Sequence, residues 1–202
     1  MIDWHTNLWL DEHLAEQYRT DMHVRSGGRQ TDAGPERHAE KVAGVADKFI
    51  VLALRWTQLG VVVPNDFVAE YVARYPGRAI GFACVDPADA DAPDELERSV
   101  KSLGLRGLKL SPVYQGFDPS SPEAWRLYEV ADSLDIPILW HQASAFPAQS
   151  YLEYGNPLLL DKVARAFPDL RMILAHFGLP WSDITVQLLR KHKQLYTDVS
   201  AR

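Results

Sequence analysis

Several features that assign a protein to a class at first sight are scarce in this sequence. Cys84 is the single cysteine among 202 residues, so no disulfide can form within the chain, and a reducing, cytoplasmic setting is expected. The net charge is −6 and the 21 Lys and Arg residues are dispersed, which argues against a nucleic-acid partner. No apolar run is long enough to span a membrane. We therefore expect a partner that is neither nucleic acid nor membrane.

What the chain does contain is a regular alternation of strand and helix patterns. Seven short runs rich in β-branched and aromatic residues predict strands at 1–4, 49–54, 79–85, 105–110, 136–140, 171–175 and 195–199. Helical patterns between them predict helices at 36–47, 66–75, 94–103, 122–135, 157–167 and 181–192. This alternation is typical of βαβ units around a parallel sheet.

The same pattern helps to choose between the two parallel-sheet architectures. The glycine-rich fingerprint of a dinucleotide-binding fold is missing after the first strand, which disfavours an open, doubly wound sheet. We predict an α/β fold of the TIM type, a (β/α) barrel that forms a single domain over residues 1–202. A complete barrel takes about 250 residues and eight strands. Because only seven strands are predicted, we expect a barrel truncated after strand seven, whose unpaired edges favour a homo-oligomer.

The first long connection, from Leu8 to Pro35, is polar and contains glycine. A loop of this length in a compact domain is either functional or disordered. We interpret it as a flexible segment that covers the mouth of the barrel. His13 and His23 in this connection, and His38 beyond it, have no place at a strand end, and we expect all three to be solvated.

Three other histidines, His5, His141 and His176, lie at or near the ends of apolar runs. The carboxyl ends of parallel strands meet at one rim of a barrel, so these side chains are expected near one another. Imidazole nitrogens there could bind a metal ion or carry protons. This arrangement is typical of an enzyme.

The segments at the strand ends also carry a resemblance to a known family. Residues 2–7, 104–112, 138–141 and 173–181, followed by 198–200 on the seventh strand, are similar to the amidohydrolase superfamily. More narrowly, they resemble its amidohydrolase-related branch. Members of that branch are metal-dependent decarboxylases and hydrolases of small, often aromatic, carboxylic acids and lactones. The likeness extends over nearly the whole chain.

The resemblance implies a set of metal ligands and a proton carrier. His5 and His141 match two ligand positions, and Asn7 stands where the family has a further histidine. His176 matches the histidine that serves as acid or base beside the metal. The aspartate of the family's eighth strand has no counterpart here. We therefore expect one divalent ion, zinc or manganese, that is weakly bound; Asn7 either contributes its amide oxygen or only fixes the turn after the strand.

Candidate substrate-binding residues lie at the same rim. Arg55 could hold an anionic group with its planar guanidinium, although a solvated arginine is nearly as plausible. Lys109 could bind a substrate carboxylate or pair with an acidic neighbour. Trp140 could form part of an aromatic wall around a flat ligand. For Asp198 we expect a structural hydrogen bond.

Three functions remain open from the sequence. The first is a hydrolase of a small carboxylated substrate, cyclic or aromatic, in which the metal activates a water molecule and His176 handles its proton. The alternative is a metal-dependent decarboxylase of an aromatic or related acid. The third is a degenerate or incomplete barrel that serves as a non-catalytic binding protein, because Asn7 and the missing strand both weaken the metal site.

Overall fold

The computed structural model describes residues 2–27, 33–42 and 45–200, and its main feature is a curled parallel sheet. The strands are β1 (Ile2–Asn7), β2 (Lys48–Leu52), β3 (Leu54–Trp56), β4 (Val61–Val63), β5 (Ala79–Cys84), β6 (Leu108–Leu110), β7 (Ile138–Trp140), β8 (Met172–Leu174) and β9 (Leu195–Thr197). Seven of them pair in parallel in the order β1-β2-β5-β6-β7-β8-β9. β3 and β4 form a separate antiparallel hairpin. The predicted fold class, an incomplete TIM-type barrel, is confirmed.

The helices lie between the strands, as the alternation predicts. They are α1 (Glu16–Arg25), α2 (Pro35–Val42), α3 (Asn65–Ala73), α4 (Ala92–Lys101), α5 (Pro112–Gln115), α6 (Pro122–Ser133), α7 (Leu160–Ala166) and α8 (Ser182–Lys191). The Ser121 hydroxyl accepts a hydrogen bond from the Ala124 N–H at 3.3 Å and caps α6. No helix of the described residues is long and apolar enough to cross a bilayer.

The two faces of the sheet bury different side chains. One face packs against the helices and contributes most of the apolar core. The other face lines the barrel interior with a second cluster of buried residues: Ile50, Leu52, Phe82, Leu139, Ile173 and Ala175. Lys109 is registered with Leu139 on β7, and Leu139 with Ile173 on β8. The Lys109 side chain therefore belongs to the row that faces the apolar interior.

The connection between β1 and β2 differs from the prediction. It contains α1, which begins at Glu16, rather than a loop without secondary structure. Tyr18 is the one buried residue of α1, so the helix has no apolar stripe that a sequence pattern could reveal. The Ala15 N–H donates to the Gly60 carbonyl at 2.8 Å and ties the start of α1 to the hairpin. Residues 28–32 of this connection lie outside the described part of the chain.

His38 also differs from the prediction, because it is buried rather than solvated. It is 5% exposed, and its Nδ1 lies 2.8 Å from the Tyr71 hydroxyl. His13 is half-buried, with its ring 4.7 Å from that of Phe67, so it is only partly solvated. His23 is exposed on α1, as expected. Residues 43 and 44 of the predicted helix 36–47 fall outside the described residues, and the helix seen before them ends at Val42.

Candidate active site

The structure brings the three strand-end histidines together at one rim of the sheet. His5 lies within β1, His141 directly follows β7, and His176 follows β8 by two residues. The His5 and His176 rings stack with their centroids 4.8 Å apart, and the His141 ring meets that of His176 at 4.7 Å. The His176 Nε2 atom lies 3.3 Å from the His141 Nδ1 atom. The three side chains thus form one continuous row of imidazoles.

Asp198 and Ser200, which follow β9, complete this cluster. One carboxylate oxygen of Asp198 lies 3.1 Å from His5 Nδ1. The other accepts hydrogen bonds from the His176 N–H at 2.9 Å and from the Ser200 N–H at 3.0 Å and hydroxyl at 2.5 Å. The Ser200 hydroxyl oxygen also lies 2.9 Å from His176 Nδ1 and 3.3 Å from His5 Nδ1. The side chains of His5, His176 and Asp198 therefore meet around the Ser200 hydroxyl group.

The backbone at His176 is strained. His176 has φ 60° and Phe177 has φ 52°, a left-handed conformation that L side chains rarely adopt. The Phe177 N–H donates to the Asp198 carbonyl at 2.9 Å, which helps to hold this conformation. Each such residue costs about 1–3 kcal/mol, and strain of this kind clusters at functional sites. Here it directs the His176 N–H at the Asp198 carboxylate.

Burial sets the charge states in the cluster. Desolvation, followed by nearby positive charge, lowers the pKa of His5 and, more strongly, that of His141. Desolvation also lowers the pKa of His176, to about 4. Burial alone would raise the pKa of Asp198, but hydrogen bonds from His5 and Ser200 outweigh it and hold that pKa well below its usual value. At neutral pH the imidazoles are neutral and the carboxylate is ionised.

Lys109 adds a buried amine to the same region. Its side chain is 1% exposed, and its Nζ atom has no hydrogen-bond partner among residues 2–27, 33–42 and 45–200. Desolvation lowers its pKa from 10.5 to about 8, and the negative charge of Asp198 only partly opposes this. A lysine that is charged, buried and without a partner is costly for the fold and is a candidate functional group.

Three of the other predicted site residues lie apart from the cluster. The Arg55 guanidinium is bound to the Asp89 carboxylate at 2.7 Å. Trp140 is fully buried and packs with its ring centroid 5.3 Å from that of Tyr128. Asn7 is half-buried at the end of β1, and no hydrogen bond among the described residues joins its side chain to the histidines.

An aromatic row covers the outer side of the cluster. The Tyr114 ring lies 4.6 Å from that of His141, the Trp56 ring 4.4 Å from that of Tyr114, and the Tyr18 ring 6.0 Å from that of Trp56. Tyr18 belongs to α1, so the connection after β1 contacts this aromatic row. The sequence analysis did not single out Tyr114, since nothing in its local pattern distinguishes it from a core residue.

Comparison with known proteins places this geometry in a family. The model of the family described as Amidohydrolase matches residues 2–202, so the chain belongs to that family, as the resemblance indicated. A gamma-resorcylate decarboxylase of a Polaromonas species is 31% identical over 146 residues, which cover 58% of this chain and 45% of that protein. The chain thus spans about half the length of this relative.

Solved structures give the same fold. A TIM-barrel protein from Bordetella bronchiseptica superimposes with a TM-score of 0.81 at 19% identity, over 98% of this chain and 74% of that one. A 5-carboxyvanillate decarboxylase from Novosphingobium aromaticivorans, solved with bound manganese and a nitrobenzoic acid derivative, has a TM-score of 0.63 at 16% identity. The superposition covers 95% of this chain and 70% of the decarboxylase chain. At these identities the likeness establishes the fold.

Proposed function

We propose that this protein catalyses the metal-dependent decarboxylation of a small aromatic carboxylic acid. The observation that carries the proposal is the cluster of neutral imidazoles and one ionised carboxylate beside the Lys109 ammonium, which has no hydrogen-bond partner among the described residues. The name of the Polaromonas relative supports decarboxylation. The comparisons therefore favour the decarboxylase alternative over the hydrolase reading, for which they give no comparable support.

The donor atoms of the cluster fit a divalent ion. Imidazole nitrogens suit zinc and manganese, and a carboxylate adds the hard, charged ligand that manganese prefers. The residues that would hold the ion belong to the set His5, His141, His176 and Asp198, and neutral imidazoles present the lone pairs that coordination requires. When bound, the ion would supply positive charge that holds the substrate oxygens and stabilises the negative charge that develops on the ring as the bond to the carboxyl carbon breaks.

Lys109 is suited to bind the substrate carboxylate. Its pKa of about 8 leaves the amine protonated at pH 7, and the ammonium has no competing partner in the described structure. An anion that reaches Nζ would gain a charge-assisted hydrogen bond in a buried environment. The neighbouring apolar side chains Leu139 and Ile173 offer contacts to an aromatic ring. We therefore propose that Lys109 orients the acid, whereas Arg55 is already bound to Asp89.

The linked imidazoles of His141 and His176 are suited to manage the proton. In decarboxylation the bond between the ring and the carboxyl carbon breaks, carbon dioxide leaves, and the ring carbon takes up one proton. A side chain near the reacting carbon must hold that proton. The 3.3 Å contact between the two rings allows a proton to pass along the pair. The aromatic row of Tyr18, Trp56 and Tyr114 would keep bulk water away from this step.

The experiment compares decarboxylation with hydrolysis. The protein loaded with manganese or zinc is incubated with 2,6-dihydroxybenzoate and 5-carboxyvanillate, which are substrates in the names of structural neighbours. A third sample contains 2-pyrone-4,6-dicarboxylate, which tests the hydrolase. We expect release of carbon dioxide from an aromatic acid and no opening of the lactone. His141→Asn should lower turnover by about 10²–10⁴-fold, the usual value of a positioned acid or base.

Other outcomes would refute the proposal. Opening of the lactone without release of carbon dioxide would restore the hydrolase. A folded, metal-loaded protein that binds these acids and converts none would favour the binding-protein alternative. Lys193→Met, a change of an exposed lysine, is the control and should retain full turnover.

A further inference from the structure

We infer that Ser111 is a substrate-binding residue whose hydroxyl, together with the Lys109 ammonium, holds the carboxylate of an aromatic acid. The inference rests on the proposed function for the class of ligand, and it adds a second hydrogen-bond donor that the sequence analysis did not single out. The observation that carries it is a pair of buried polar groups, on one side of one strand, that have no hydrogen-bond partner in the described part of the chain.

The Ser111 hydroxyl is buried, and the local structure does not use it. The residue is 0% exposed, and its Oγ atom has no hydrogen-bond partner among the residues that the structure describes. A serine directly before a helix usually accepts a hydrogen bond from the first turn, as Ser121 does before α6. Ser111 precedes α5, but its side chain makes no such bond. An unpaired buried hydroxyl costs free energy of folding, so a ligand that pairs with it gains from the contact.

The Gln115 side chain fixes the backbone of Ser111 and leaves the hydroxyl unpaired. Gln115 Oε1 accepts a hydrogen bond from the Ser111 N–H at 2.7 Å. Its Nε2 atom donates to the carbonyl oxygens of Val85 at 2.8 Å and of Arg55 at 3.1 Å. These bonds join the end of β6 to the residue after β5 and to β3. Ser111 is therefore held in place by its backbone, and its hydroxyl is not needed for that purpose.

Ser111 and Lys109 lie on the same side of the sheet. Side chains alternate along a strand, and Ser111 still has an extended backbone, with φ −138°, so the alternation continues one residue past β6. Leu110, between them, packs into the core on the helix side. Desolvation lowers the Lys109 pKa and the charge of Asp198, beyond the end of β9, partly opposes this, so the amine lies towards the carboxyl ends of the strands. Two residues of a strand span about 6.6 Å, which a lysine side chain can cover.

Ser111 is also a neighbour of the histidine that is proposed to hold the proton. The ladder between β6 and β7 pairs Leu110 with Trp140, and the His141 N–H donates to the Leu110 carbonyl at 2.8 Å. The next residues along the two strands are Ser111 and His141, and neighbouring strands lie about 4.8 Å apart. A carboxylate bound by Ser111 and Lys109 would therefore lie beside the His141 imidazole.

A carboxylate fits the two donors in charge and in number. Its two oxygens can accept from the Lys109 ammonium and the Ser111 hydroxyl at the same time, and hydrogen bonds of this kind to an ionised group are strong. The ring that remains after carbon dioxide has left offers no charge to the ammonium. The pair would therefore bind the acid more tightly than the decarboxylated product, which favours product release.

The test measures the binding of benzoate, and of resorcinol as a ring without a carboxylate, to the whole metal-loaded chain by calorimetry. Ser111→Ala should weaken benzoate binding by about 10-fold or more, the usual effect of a lost hydrogen bond to a charged group. Binding of resorcinol should change less than threefold. Ser99→Ala is the matched control, because Ser99 is equally buried but donates its hydroxyl to Glu95 Oε1 at 3.1 Å. This control should bind benzoate like the parent.

Melting temperatures separate substrate binding from a structural role. Without ligand, Ser111→Ala should melt no lower than the parent, because no hydrogen bond is lost, whereas Ser99→Ala should melt lower. Benzoate binding that is unchanged in Ser111→Ala, or a variant that loses stability together with the binding of both ligands, would overturn the inference. A parent that does not bind benzoate would overturn it as well.

Decarboxylation of 2,6-dihydroxybenzoate, a substrate in the name of a structural neighbour, gives a kinetic readout. The carboxylate loses its charge as carbon dioxide forms, so Ser111→Ala should raise KM by about 10-fold and change kcat less than threefold. Benzoate binding that depends on Ser111 without any release of carbon dioxide would refute only the proposed function. Release of carbon dioxide with an unchanged KM in Ser111→Ala would refute only the role of Ser111.

Discussion

Replacement of Lys109 by methionine should stabilise the protein and abolish its use of carboxylate substrates. Methionine has a similar length and carries no charge, so the apolar interior around Leu139 loses a buried ammonium without a large cavity. Burial moves the lysine pKa from 10.5 to about 8. Each pKa unit corresponds to 1.36 kcal/mol, so the charged form destabilises the folded state by about 3 kcal/mol at pH 7. The variant should be more stable by up to that amount.

The pH dependence identifies the cause of this gain. Between the two pKa values, Lys109 is deprotonated in the folded protein but still protonated in the unfolded chain. The parent should therefore gain stability relative to Lys109→Met as the pH rises from about 8 to 10.5. Below pH 8 the difference between the two proteins should be constant.

Urea unfolding at several pH values measures the effect. The free energies of unfolding of the parent, Lys109→Met and the exposed control Lys193→Met are compared at pH 7, 8 and 9.5. At pH 9.5 the advantage of Lys109→Met should fall to about 1.4 kcal/mol. A destabilised Lys109→Met protein, or a gain that does not depend on pH, would refute the buried ammonium. Full decarboxylation by this variant would refute its role in binding the substrate.

Three further predictions concern a closely packed glycine, an ion pair and the first strand of the sheet. Gly60→Ala should destabilise the protein by at least about 1 kcal/mol in urea unfolding, because φ is 62° and the new Cβ would lie 2.6 Å from that of Ala15. The hydrogen bond from His192 lowers the pKa of Asp161 from 3.8 to about 2, so the stability of the parent relative to Asp161→Asn should be lost as the pH falls from about 4 to 2 in thermal melts. The parent should self-associate in sedimentation experiments, and Trp4→Lys should weaken this, because Trp4 is 43% exposed on β1, which pairs with β2 alone among the described residues.

Much of the fold could be predicted because strand and helix each have a distinct sequence period. The seven predicted strands correspond to the seven strands of the parallel sheet. The hairpin of β3 and β4 was missed, since two three-residue strands give too short a pattern to detect. The run predicted at 49–54 joins β2 to the start of this hairpin. α1 was missed because its single buried side chain, Tyr18, gives no helical stripe.

Only those site residues that a local sequence pattern marks could be predicted. His5, His141 and His176 were singled out because each lies at or near the end of an apolar run, and the structure brings them together. Asp198 was given only a structural hydrogen bond. Asp198 and His5 are 193 positions apart in the sequence. They come into contact only through the tertiary arrangement of the sheet, which a local pattern does not show. For Arg55 the sequence suggested a role in substrate binding, but the structure pairs its guanidinium with Asp89. This pairing depends on how the loops are arranged, which no sequence pattern predicts.

The features that break the local rules of folding are concentrated at one place. Lys109 is a buried ammonium without a hydrogen-bond partner in the part of the chain that the structure describes, and His176 and Phe177 have a left-handed backbone conformation. Each of them costs free energy of folding. All lie in or just after strands β6 and β8, which flank β7 in the sheet, on the side where Asp198 meets the histidines. Because costs of this kind are retained where a site requires them, their coincidence supports a functional centre here independently of any relative.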